Sequence, residues 1–157
     1  MHKLSLVALC LFALTVLSAA QEKLENKWNC SKPSDSHSFD VGDVPNHSYV
    51  ITQGSCTATA STIGEKTGTY TEFEEVWKAR FTNHGRFTTT TDSGDKIYYV
   101  YEGSGPADIT KPATNKWKIV DGTGKQKGMK ASGTCSGDRH DDSTSDWTCT
   151  GAPSATK

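Results

Sequence analysis

The strongest constraint in this chain is a period of two. From Ser48 onward, β-branched and aromatic residues recur at alternate positions, and no segment sustains an amphipathic helical period over three turns. "SYVITQGSCTATAS" alternates. So does "GTYTEFEEVWKARFT", where Tyr70, Glu72, Glu74 and Val76 share one face and Thr71, Phe73, Glu75 and Trp77 the other. Successive side chains of a strand point to opposite faces, so this spacing predicts strands. "GRFTTTTDSGDKIYYVYEGSG" predicts a hairpin about "DSGD", and "DWTCTG" a last strand after the polar loop "SGDRHDDSTS". Seven or eight short strands with Gly-rich turns predict an all-β fold, a sandwich or a closed barrel. Closure removes exposed sheet edges. Eight strands enclose a space just wide enough for side chains or one small ligand.

The first residues, "MHKLSLVALCLFALTVLSAA", carry His2 and Lys3, an apolar run from Leu4 to Leu17, and small residues to Ala20. This three-part pattern predicts a secretory signal peptide over 1–20. The run is shorter than the ~20 apolar residues of a spanning helix. Residues 21–47, rich in Ser, Asp, Pro and Gly, predict an irregular N-terminal segment pinned to the body by Trp28 and Cys30. Residues 48–157 form the barrel domain. The expected location is secreted or periplasmic.

Loss of the signal peptide removes Cys10 and leaves Cys30, Cys56, Cys135 and Cys149. An even count in an oxidising compartment predicts two disulfides. Three connectivities are possible, of which Cys30–Cys56 with Cys135–Cys149 is favoured because each joins sequence neighbours. The spacing does not match the C-x-x-C pattern of structural zinc. A net charge of -1 gives no electrostatic case for nucleic acid or an anionic membrane. Nothing in the chain calls for a metal or a cofactor.

Residues 121–135, "DGTGKQKGMKASGTC", pose the question of a phosphate loop. Such a loop needs G-x-x-x-x-G-K-[S/T] between a buried strand and a helix, but Met129 follows Gly128 and no helix is expected. The segment instead reads as strand, turn, short irregular piece and strand, with glycines serving backbone geometry. "WKIVDGTGKQKGMKASGTC" resembles the glycine-rich barrel segment of the allene oxide cyclase and dirigent superfamily. Asp121 stands where that family has a glycine, and Gln126 where it has an aromatic. The layout over residues 28–151 most closely resembles small exported bacterial proteins with a signal peptide, W-x-C and then this segment. The resemblance implies an all-β fold, a single antiparallel up-and-down barrel of about eight strands, calycin-like, with an interior cavity. It also implies family members that are cyclases, members that guide radical coupling without chemistry of their own, and homo-oligomers.

Glu72 and Glu74 are the candidate acid and base, since crowded carboxylates split their pKa values. They line the interior if the Tyr70 face points inward and form a solvated face if it points outward. Phe73 and Trp77 make the opposite face look more like core. Tyr99 and Tyr101 point the same way, and a buried tyrosine needs a hydroxyl partner. A ligand, Arg80 or Arg86 would serve, and Tyr99 is the candidate hydrogen-bond donor for catalysis. "TNHGRF" reads as an exposed turn, and His37, His47, His84 and His140 as loop residues. The ligand-binding candidates are therefore Tyr70, Tyr99, Tyr101, Arg80 and Arg86. Three functions are consistent with these residues: binding a small apolar molecule, isomerising or cyclising such a molecule, and a structural role in the cell envelope. An aromatic-lined cavity without perturbed carboxylates would favour the first, and inward carboxylates with raised pKa the second. A filled barrel with an exposed apolar patch would favour the third.

Overall fold

The computed structural model describes residues 22–154. The signal peptide expected over 1–20 lies outside them. Nine strands follow in order: β1 (Leu24–Cys30), β2 (Asp35–Asp40), β3 (His47–Ser61), β4 (Glu65–Trp77), β5 (Arg80–Thr91), β6 (Lys96–Pro106), β7 (Ala113–Gly122), β8 (Ala131–Arg139) and β9 (Ser145–Pro153). All neighbours run antiparallel, and β1 pairs with both β3 and β9. The ring β1-β9-β8-β7-β6-β5-β4-β3 is thus a closed eight-stranded barrel. β2 lies outside the ring, paired with the first residues of β3.

Two expectations need correction. The N-terminal segment is not irregular, because it holds β1 and β2. In "LENKWNC", Leu24, Asn26, Trp28 and Cys30 are buried while Glu25, Lys27 and Asn29 are exposed. That alternation is short and half polar, so turn-forming neighbours obscure it. "TNHGRF" is not a turn either, because it lies within β5. The chain reverses instead at Lys78, which takes the left-handed conformation with φ 59°.

Both disulfides form as expected, Cys30–Cys56 tying β1 to β3 and Cys135–Cys149 tying β8 to β9. Their cysteines are direct partners in the strand ladders. In the interior, aromatic rings lie over glycines of adjacent strands. Tyr70 covers Gly54, Tyr101 covers Gly85, and Trp117 covers Gly133. The glycines leave the space into which large rings fold, which lets a narrow barrel hold large aromatic side chains along its wall.

The barrel has a closed end and a mouth. Leu24, Ile97, Tyr99, Trp117, Ile119 and Ala131 pack the closed end, with Ile63 and Met129 against them. The glycine-rich stretch turns there. It forms a short 3₁₀ turn at Gly124–Gln126, flanked by positive φ at Gly124 and Gly128. The Asp121 carboxylate accepts the amides of Gly122 (2.8 Å) and Gly128 (3.2 Å), and Asp95 accepts that of Lys125 (3.2 Å). Carboxylates already occupy the amides that a phosphate would need, so the stretch is a structural turn.

The outside of β3 and β4 is unexpectedly aromatic. The Phe73–Trp77 face is not core: Trp77 is 51% exposed, and Phe73 stacks on Tyr49 across the outer surface. His47, 8% exposed, stacks on Trp77 and sits between Asp43 (2.7 Å) and Glu75 (3.0 Å). These contacts pin the β2–β3 loop to β4.

Candidate functional site

With Phe73 and Trp77 outside, strand alternation turns Tyr70, Glu72 and Glu74 inward. They line a cavity of 460 Å³ that opens at the mouth. Trp28, Phe87, Tyr99 and Trp117 form its deeper wall, with Trp28 and Phe87 edge to face at 5.0 Å and Tyr99 and Trp117 likewise at 5.7 Å. Phe81 and Arg139 stand at the rim. The guanidinium lies 4.6 Å over the Phe81 ring, and Nη2 donates to the carbonyl oxygens of Pro106 (2.6 Å) and Asp108 (3.1 Å).

Two carboxyl groups hold the tyrosines. Glu65, 1% exposed, accepts from Thr89 Oγ1 at 2.5 Å and from the Tyr99 hydroxyl at 2.7 Å. Burial raises the Glu65 pKa, against the pull of those donors. Nearer the mouth, Glu72 is hydrogen-bonded to the Tyr101 hydroxyl and accepts from Asn83 Nδ2 at 2.7 Å. Burial pushes Glu72 up to about 7, and the Glu74 charge adds to the rise. Burial also raises Glu74, which Arg139 partly offsets. Tyr70 is pushed up to about 12 by burial and by the Glu72 charge. Loss of water penalises each ionised form, so all these acids favour their protons.

Sequence reasoning missed a band of asparagines. One register row crosses the wall through Glu74, Asn83, Gly103, Asn115, Cys135, Cys149 and Asn26. The Oδ1 atoms of Asn26, Asn83 and Asn115 are buried without a hydrogen-bond partner among the described residues, as are Trp117 Nε1 and Arg139 Nε. Buried polar atoms are nearly always satisfied in folded proteins, so this cluster is unusual. The signal was parity: Asn83 shares its face with Phe81 and Phe87, Asn115 with Trp117, and Asn26 with Leu24 and Trp28.

The structure brings Tyr70, Glu72, Glu74, Tyr99 and Tyr101 into one cavity. It does not bring Arg80 and Arg86 there. Both are exposed, because they alternate with the inward Phe81 and Phe87. The partners of Tyr99 and Tyr101 are glutamates, not these arginines. The histidines are not all in loops: His37 lies in β2, His47 opens β3 and His84 lies in β5. His140, in the β8–β9 loop, pairs with Asp146 at 3.0 Å. Among the described residues no helix is long and apolar enough to cross a membrane.

No family model matches the chain, and no curated protein matches it. Among solved structures, the pterocarpan synthase dirigent protein GePTS1 is similar, with 12% identity, a TM-score of 0.46, and coverage of 87% of this chain and 86% of that one.

Proposed function

We propose that this protein is an exported barrel that binds a small, largely apolar molecule in its cavity. The carrying observation is the 460 Å³ aromatic-lined space, open at one end. Its size lies within the range of ligand sites, and its lining is the usual one: apolar walls with a few placed polar groups. Burial of apolar surface would drive binding, and the polar groups would orient the guest. Two disulfides fit export to an oxidising compartment. Native mass spectrometry of protein purified from its own medium or periplasm tests this. An adduct of small mass that disappears on denaturation is the expected result. A bare protein mass, unchanged by an apolar metabolite extract, would sink the reading.

A second reading, acid–base isomerisation or cyclisation of the guest, is favoured by Glu72. A carboxyl group pushed up to about 7 is poised to give and take a proton near neutrality. The donor beside it is Tyr101, because the Tyr99 hydroxyl is committed to Glu65. Conversion of the adduct compound by native protein, lost in Glu72→Gln while binding persists, is the expected outcome of this reading. Unchanged turnover in that variant would exclude it.

A further inference from the structure

Among the described residues lining the cavity, unpartnered acceptors and carboxyl groups outnumber the two unpartnered donors, Trp117 Nε1 and Arg139 Nε. Three buried amide oxygens, of Asn26, Asn83 and Asn115, have no partner among the described residues. The orientation of Asn83 is fixed, because its Nδ2 donates to Glu72 Oε2 at 2.7 Å and so its Oδ1 faces away as an acceptor. The carboxyl groups of Glu72, Glu74 and Asp141 also line the space. Against them stands one guanidinium, Arg139, whose Nη2 is committed to loop carbonyls and whose face lies over Phe81, leaving only its Nε free to donate. His140, also on the rim, is paired with Asp146. The rings of Tyr70 and Tyr101 flank the glutamates. Ring faces attract cations, more strongly away from water.

From this we infer that the guest is an organic cation: an apolar body ending in a protonated amine, whose N–H groups reach Glu72, Glu74 and the asparagine oxygens. The inference rests on the ligand-binding reading above and narrows it. The ammonium sits between the two glutamates and the flanking tyrosine rings. The body lies deeper, against Trp28, Phe87 and Trp117. An ammonium offers donors only, which is what three unpaired acceptors and two carboxylates accommodate. A neutral apolar guest would leave those acceptors unsatisfied, and an anion would meet the carboxylates.

Glu72 gives the interaction a second signature. A cation beside it favours its ionised form, so binding near neutrality expels a proton. The amine takes nothing from the protein, and the released proton goes to buffer.

The test is isothermal titration of the disulfide-intact protein with three probes on one skeleton: 2-(1-naphthyl)ethylamine, 2-(1-naphthyl)ethanol and 1-naphthylacetate. At about pH 8, where Glu72 is mainly ionised, the amine is expected to bind at least about tenfold tighter than the alcohol, and the acetate weakest. The preference should shrink at about pH 5, where Glu72 is protonated. Near neutrality the measured heat should change with the ionisation enthalpy of the buffer. Glu72→Gln and Glu74→Gln, checked as folded by circular dichroism, should each reduce the preference for the amine over the alcohol. Alcohol or acetate binding as tightly as the amine overturns this inference while leaving a ligand-binding barrel standing. Binding of none of the three overturns both. A preference for the amine that persists in both glutamine variants overturns the assigned site.

Discussion

Asn83 lies directly opposite Glu74 in the β4–β5 ladder, yet its amide donates to Glu72, one diagonal step away. This leaves Asn83 Oδ1 buried without a partner among the described residues, and Glu74 to interact with Arg139. Two carboxyl groups two residues apart on one strand thus have different surroundings. Glu72 is tied to neutral donors, and Glu74 to a cation.

The pH dependence of stability follows from Glu72. Its pKa rises from 4.5 to about 7 on folding. The folded state therefore holds a proton that the unfolded state has lost, and stability falls as pH rises through that window. One such proton gives a slope of roughly 1.4 kcal/mol per pH unit. Urea unfolding between these limits should show Glu72→Gln losing that share of the slope. Parallel curves for the variant and the native protein would place Glu72 in water. His47, raised by its bonds to Asp43 and Glu75, acts in the same direction at higher pH, its contribution being lost above 6.5.

Glu65 is the acceptor for two buried hydroxyl groups. Glu65→Leu strands those of Thr89 and Tyr99, at a cost of roughly 1–3 kcal/mol for each donor left unpaired. The triple change Glu65→Leu, Thr89→Val, Tyr99→Phe should recover much of the loss, because no polar atom is then orphaned. Chemical denaturation of the four proteins, with Glu65→Gln as the mild control, checks this. A triple variant no more stable than Glu65→Leu would show that shape, not hydrogen bonding, sets the cost.

A side chain at Gly85 would meet the Tyr101 ring at 2.5 Å and the Thr71 carbonyl oxygen at 2.7 Å. Gly85→Val should destabilise the barrel by about 1–3 kcal/mol through overpacking. It should also push Tyr101 away from Glu72, which tyrosine ring shifts in an NMR spectrum would register. Gly42, which has open space around it but φ 78°, tests strain without crowding. Gly42→Ala should lower stability and leave those ring shifts unchanged.

The Cys135–Cys149 bond closes a loop of 14 residues by sequence separation. Loss of a loop of this size costs about 3 kcal/mol in the chain-entropy model. Cys135→Ser with Cys149→Ser should lower the urea midpoint accordingly, with the m-value reporting any change in the unfolded state. An unchanged midpoint would show that strand pairing alone holds β8 against β9.

The alternation in β3 to β9 and the tight turn chemistry made the barrel legible in the sequence. The even count of cysteines made two disulfides legible, and sequence proximity favoured the pairing that forms without fixing it. Which face of β4 points inward was not. Phe73 and Trp77 have the more apolar side chains, but they stack on Tyr49 and His47 outside, while two glutamates face in. Local hydrophobicity fails where one strand supplies the few polar groups of a largely apolar cavity. The arginines misled for a related reason: charge suggested partners for the tyrosines, but parity with Phe81 and Phe87 places both outside. β1 escaped notice because a seven-residue strand buried on one face offers only Leu24, Trp28 and Cys30 as apolar signals.

Leu24 and Gly151 are ladder partners, so the first and last barrel strands come together at the closed end. The described residues next to the barrel, Glu22 before β1 and Ser154 after β9, lie at that end, away from the cavity opening. A fusion partner or resin joined directly at residue 22 or 154 would hold the barrel base-first, its opening turned toward the medium. Attachment at those two positions should thus leave access to the cavity free, whereas a label at Asp141 would sit beside the doorway.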